Sequence, residues 1–149
     1  RMNMIKRIII LLLLCGFVFS GINNDINGNV WANWSNGEKE SFLKGVYSSQ
    51  LILNNHLKNA IQYDSAGDPY WKKPFVLVMY EQNMKEFTSV KMGINTGELS
   101  GRLDAFYGDS DNKIIAVIEA IRIIFLRADG DNERADWFVL QSRRNAGDN

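Results

Sequence analysis

The residues best suited to chemistry lie in two acidic clusters, Asp109, Asp111 and Asn112, then Asp129, Asp131 and Glu133. Such alternating oxygens invite calcium. A helix–loop–helix calcium loop, however, needs oxygen ligands at positions one, three, five and twelve, with glycine at six. Counted from Asp129, position six is Arg134 and position twelve is Leu140; counted from Asp109, they are Ile114 and Ala120. Both frames fail, so the aspartates read as helix caps and turn residues. The glycines of GINTGELSGRLDAFYGDSDN, residues 93–112, invite a phosphate loop instead. No Lys-Ser/Thr pair follows them, and no G-x-G-x-x-G occurs.

Hydrolytic chemistry finds as little support. The single cysteine, Cys15, lies in an apolar leader, and no serine sits in a G-x-S-x-G elbow. The lone His56, at the edge of an apolar helix face, reads as a partly buried structural residue rather than a catalytic one. No His, Cys or carboxylate set has metal-ligand spacing. A carboxylate-based cell-wall hydrolase needs only a pair of Asp or Glu, for which Asp104 and Glu119 are the candidates. Glu119 stands three residues before Arg122, and Asp104 is open to a local pair or cap, so a structural role is the stronger reading of both. The sequence predicts no enzyme, no cofactor and no metal site.

The elements that would position any site are helical. Ser35 and Glu38 stand in the S-x-x-E spacing of a capping box. Phe42, Leu43, Val46, Tyr47, Leu53, Leu57, Ala60 and Ile61 then recur at helical spacing, which predicts a long amphipathic first helix. The segment YDSAGDPYWKKP, residues 63–74, reads as a loop that places Pro74 at the first position of the next helix. Val76, Tyr80, Met84, Phe87 and Lys91 continue a 3.6-residue period, favouring helix over a buried strand across residues 75–80.

Asn95 and Glu98 form a second capping box, with Ile94 and Leu99 as its hydrophobic staple. Leu99, Leu103, Phe106 and Tyr107 make one apolar face, and Gly108 supplies a left-handed stop. Gly97, Gly101 and Ala105 recur every four residues opposite Leu103. That stripe reads as a solvent face, as a close helix contact within the domain, or as a contact with a second copy of the chain in a homodimer. NKIIAVIEAIRIIFLRA, residues 112–128, is apolar nearly all round, as a central buried helix is. Gly130 turns the chain, and Asp131 caps a last helix with Ala135 and Phe138 inward and Arg143 and Arg144 at its negative end. The sum is an all-α fold, a compact bundle of four to five helices with a central buried helix.

Ahead of this bundle, Lys6 and Arg7 precede an uninterrupted apolar run over residues 8–19, and the chain turns polar from Ser20. That is the pattern of a signal peptide; a spanning helix needs about 20 apolar residues. Two cleavage motifs follow, Val18-Phe19-Ser20 and Val30-Trp31-Ala32. The second has the better small residues, despite a long polar spacer, and is slightly favoured. INNDINGNVWANWSNG, residues 22–37, rich in Asn and Gly, reads as a spacer or loosely held arm. The organisation expected is therefore a signal peptide and cleavage region over residues 1–32 and one helical domain over 33–149. The location expected is periplasmic or secreted, with no stable membrane span after cleavage. The mature domain has no cysteine and depends on its core alone. The chain has 17 basic and 17 acidic residues, and losing residues 1–32 leaves 14 against 16. That balance favours neither nucleic acid nor an anionic membrane.

FLKGVY on the first helix, GINTGEL opening a short helix, LDAFY closing it and IIAVIEAI on the buried helix together resemble the Tai-type immunity proteins of type VI secretion and related uncharacterised exported proteins. The likeness covers residues 42–47 and 94–121. Members often carry a cysteine pair, absent here, and residues 54–91 have no aligned counterpart. The resemblance implies a small helical periplasmic protein that binds, and thereby blocks, a peptidoglycan amidase effector, an exported partner delivered by a neighbouring cell. The divergent loop would then choose the partner, through Tyr63, Tyr70, Trp71, Lys72 and Lys73, since aromatics beside cations are frequent interface anchors. The other reading of Tyr70 and Trp71 is that they cover the core. An envelope structural protein without a toxin partner, or a carboxylate-based hydrolase, is the alternative function.

Overall fold

The computed structural model describes residues 26–89, 93 and 95–147. The leader expected over the first residues, with its Ser20 motif, and the roles expected of Lys91 and Ile94 lie outside the described residues. Among the described residues there is no strand, and the all-α class expected from the periodicity holds. The helices are α1 (Gly28–Ala32), α2 (Asn36–Ser65), α3 (Phe75–Lys85), α4 (Thr96–Phe106), α5 (Val117–Asp129) and α6 (Asn132–Gly147), with a 3-10 turn at Ser110–Asn112 before α5.

Their ends follow from local chemistry. Ser35 caps α2 as a full box, its hydroxyl accepting from the Glu38 N–H while the Glu38 carboxylate accepts from the Ser35 N–H at 2.7 Å. Asn95 Oδ1 accepts from the Glu98 N–H at 3.0 Å to start α4, and Glu98 pairs with Arg102 at 2.9 Å. Gly130, at φ 95°, stops α5 in the left-handed region, where a side chain would be strained. Three expectations shift. Pro74 is the cap of α3 rather than its first helical residue. Gly108 is not left-handed; Tyr107 keeps right-handed geometry, and the chain leaves α4 through the 3-10 turn. The last buried element begins at Val117, because Ala116 before it is extended, at ψ 142°, and bridges to Asn27; the Tyr107 hydroxyl donates to the Ile115 carbonyl at 3.0 Å.

The core sits where α5 packs against α4 and α6, with α2 packed against α4 and Tyr47 of α2 reaching Phe125 of α5. Leu43, Leu99, Leu103, Ile115, Ile121, Ile123 and Phe125 are almost wholly buried. Each contributes about 1.5–3 kcal/mol by leaving water. The central helix is covered on most sides but not all, since Ile118 is 40% exposed.

The largest departure is N-terminal. Residues 26–34, expected within a loose spacer, are packed against the bundle. Trp31 is 1% exposed and tilts against Trp34 and Phe42. Asn27 caps α1, accepting from the Asn29 and Val30 N–H groups, and forms an antiparallel bridge with Ala116. The Ile26 carbonyl accepts from the Val117 N–H at 2.7 Å. That bond serves α5, which has no side-chain cap of its own. Gly28 is required by space, because a Cβ there would lie 2.3 Å from Tyr107 Cδ1 and 2.8 Å from Lys113 Cα. The boundary drawn at Ala32 therefore cuts through packed structure.

Candidate interaction surface

The apolar face of α2 is longer than the core that covers it. Its buried residues end at Tyr47, and α3 has none. Beyond that point the two helices form an arm. Leu51, Ile52 and Leu53 on α2, and Phe75 and Val76 on α3, are all more than half exposed. Between the helices runs a groove of about 280 Å³ that involves Leu57, Ile61, Tyr80 and Met84; the Tyr80 hydroxyl reaches the Asn54 side-chain oxygen at 3.4 Å. A second cavity of about 220 Å³, lined by Val46, Tyr47, Met84, Phe87 and Ile118, lies toward the core. The Tyr47 hydroxyl is buried with no hydrogen-bond partner, and burial raises the Tyr47 phenol well above its ordinary pKa.

The root of the arm is clamped by charge. Glu86, the residue that ends α3, pairs with both Arg122 on α5 and Arg134 on α6. Arg122 also stacks over the Phe138 ring at 3.6 Å. Hydrogen bonding to Glu86 holds the Arg134 guanidinium above its already high pKa.

The tip carries the residues expected to choose a partner. Tyr63 and Tyr70 are 88% and 87% exposed. Lys72 is exposed, and Lys73 pairs with Glu81 at 2.8 Å. Trp71 is half-buried, its indole N–H donating to Asp64 at 2.8 Å across the turn. None of the three aromatics belongs to the core cluster, so they do not serve as its cover. The sequence missed the extent of this surface, because the regular spacing of Leu53, Leu57 and Ile61 is the same for a covered face and an uncovered one.

The chemical candidates are distributed elsewhere and engaged separately. Asp104 Oδ1 accepts from Lys39 Nζ and from the Trp31 indole N–H, each at 2.8 Å. Glu119 lies 3.7 Å from Arg122, beside the Glu86 clamp. The two carboxylates thus belong to different clusters. Asp109 pairs with Arg143 at 2.8 Å, while Asn112 accepts from the same guanidinium and donates to the Phe106 carbonyl. Asp129 accepts from the Ser89 hydroxyl, and Asp131 pairs with Arg134 at the start of α6. His56 is exposed on the arm rather than partly buried as expected, because the core stops covering α2 after Tyr47. Among the described residues no three His, Cys, Asp or Glu side chains converge as a metal set, and no helix is long and apolar enough to cross a membrane. Gly97, Gly101 and Ala105 face outward, and among the described residues no other element approaches Gly101 closely enough to touch a side chain there.

Comparison with family models, with curated proteins and with solved structures finds no match for this chain.

Proposed function

We propose that the protein is an exported binding protein of the immunity type, which covers and thereby blocks a peptidoglycan amidase effector, and that the tip of the α2–α3 arm makes the contact. The observation that carries this reading is the near-complete exposure of Tyr63, on the last turns of α2, and of Tyr70, in the turn joining α2 to α3, at the end of an arm that the core leaves uncovered. Exposed aromatics are frequent anchors of binding surfaces. The resemblance of FLKGVY, GINTGEL and IIAVIEAI to the immunity family supplies the class of partner. The test is affinity capture from the envelope of a producing cell, with the Tyr63→Ala/Tyr70→Ala double variant as a folded comparison. Recovery of an amidase that cleaves peptidoglycan, inhibited by the wild-type chain and not by the variant, is the expected result. Equal capture by both chains sinks the assignment of the tip. Capture of nothing, together with muropeptide release by the purified chain that Asp104→Asn abolishes, sinks the binding reading itself.

A further inference from the structure

We infer that the leader is removed after Ser20, so that the mature chain begins at Gly21 and retains residues 26–32 as its first packed element. The inference rests on export as proposed above. Of the two small-residue motifs, Val30-Trp31-Ala32 is the better by composition, and the fold uses it for something else. Its central residue is buried, and its indole N–H is spent on Asp104. The motif is wound into α1 with Trp31 turned inward, so the folded domain includes it as structure.

Cutting after Ala32 would also remove ties that link this segment to α2, α4 and α5. The Val117 N–H would lose the Ile26 carbonyl, and Ala116 its bridge partner Asn27. An indole-sized void would open beside Lys39, whose side chain is only 10% exposed, and water would reach its pair with Asp104. Gly28 fits closely against Tyr107 and Lys113, at a position where alanine would clash. A segment destined for removal needs none of these features. The Val18-Phe19-Ser20 motif directly follows the apolar run, where a leader ends, and cleavage there leaves every one of the ties intact.

The test is intact-mass measurement of the full chain, made with its own leader in a bacterial host and released from the envelope. Wild type, Ala32→Arg and Ser20→Arg are compared; Ala32 is exposed, so arginine fits the fold there. Wild type and Ala32→Arg are expected to begin at Gly21, and Ser20→Arg to retain its leader. A wild-type chain that begins at Asn33 or anywhere else, or an Ala32→Arg chain left unprocessed, overturns the inference while leaving export in place. A wild-type chain of full length in the cytosol overturns export, and this inference with it.

Discussion

Trp31 and Asp104, 73 positions apart, meet through an Nε1–H to Oδ1 hydrogen bond of 2.8 Å, and Lys39 Nζ donates to the same oxygen at 2.8 Å. The lysine also lies over the indole ring, 5.4 Å from its centroid. One carboxylate oxygen therefore ties α1 and α2 to α4 and neutralises a cation that is almost wholly buried. Removing Asp104 leaves that cation unpaired, and breaking a buried pair from one side costs more than removing both partners. Asp104→Ala is expected to lower stability by about 2–3 kcal/mol, less than for a fully buried pair because Asp104 is itself partly exposed. Urea denaturation checks this against Lys39→Met/Asp104→Asn. The double variant is expected to be more stable than Asp104→Asn alone, and the opposite order would show that the pair adds nothing.

Tyr47 and Tyr107 make a second contrast. Both phenols are buried, and burial pushes both pKa values up from 10.0. Only Tyr107 has a partner, the Ile115 carbonyl. Tyr107→Phe therefore removes a buried bond and strands its acceptor, costing about 1–3 kcal/mol, while Tyr47→Phe removes an unsatisfied hydroxyl and is neutral or stabilising. The pH sign follows from the same shifts. Below pH 10 both states keep the phenols neutral; above it the unfolded chain ionises first, so stability falls as pH rises. Tyr47→Phe is expected to flatten that alkaline fall, as read from thermal midpoints between pH 9 and 11.

At the acid end the informative pair is Ser35 and Glu38. Hydrogen bonds from the Ser35 side chain and backbone hold the Glu38 carboxyl below its ordinary 4.5. A lowered folded value stabilises above 4.5 and is lost as pH falls through the folded value. Ser35→Ala is expected to weaken the fold near neutrality and to shrink the acid-side loss below pH 4.5. Midpoints that track wild type across that window would rule the box out as a pH-dependent element.

The helices were legible in the sequence because capping and periodicity are local. Ser35 with Glu38, Asn95 with Glu98, and Gly130 all act through backbone groups within a few residues. What was hidden is tertiary. Asn-rich composition around Asn27 and Asn33 reads as a spacer, although the tryptophans at 31 and 34 were a signal that the segment carries apolar weight. No local pattern announces that Ile26 serves Val117 or that Lys39 reaches Asp104. The chemical candidates divide the same way: Asp104 and Asp109 find Lys39 and Arg143, which lie far along the chain and which spacing could not assign, whereas Glu119 meets the Arg122 that its spacing names and Asp131 meets Arg134 three residues on. The tip residues Tyr63 and Tyr70 were named from composition, and their exposure emerged only once the end of the core at Tyr47 was known.

The clamp at Glu86 governs how firmly the arm is held. Its carboxylate receives Arg122 and Arg134 from two core helices and is 14% exposed, while α3 itself buries no side chain. At this end the arm is therefore held by the Glu86 charge pairs together with the packing of Phe87 against the core. Glu86→Gln keeps the shape and removes the charge, so two arginines are left facing each other and the last turn of α3 should fray. Local openings cost least where few apolar contacts oppose them. Hydrogen exchange is expected to quicken at the amides of α3 while those of Ile121 to Phe125 on α5 stay protected, with a global loss of about 1–3 kcal/mol. If the arm's amides exchange as in wild type, the clamp is a surface pair of little consequence. If α5 loosens equally, Glu86 supports the core rather than the arm. The same variant bears on binding: a contact made by Tyr63 and Tyr70 at the far end should then form more slowly or weakly, because an arm already held in place has less freedom to lose on association.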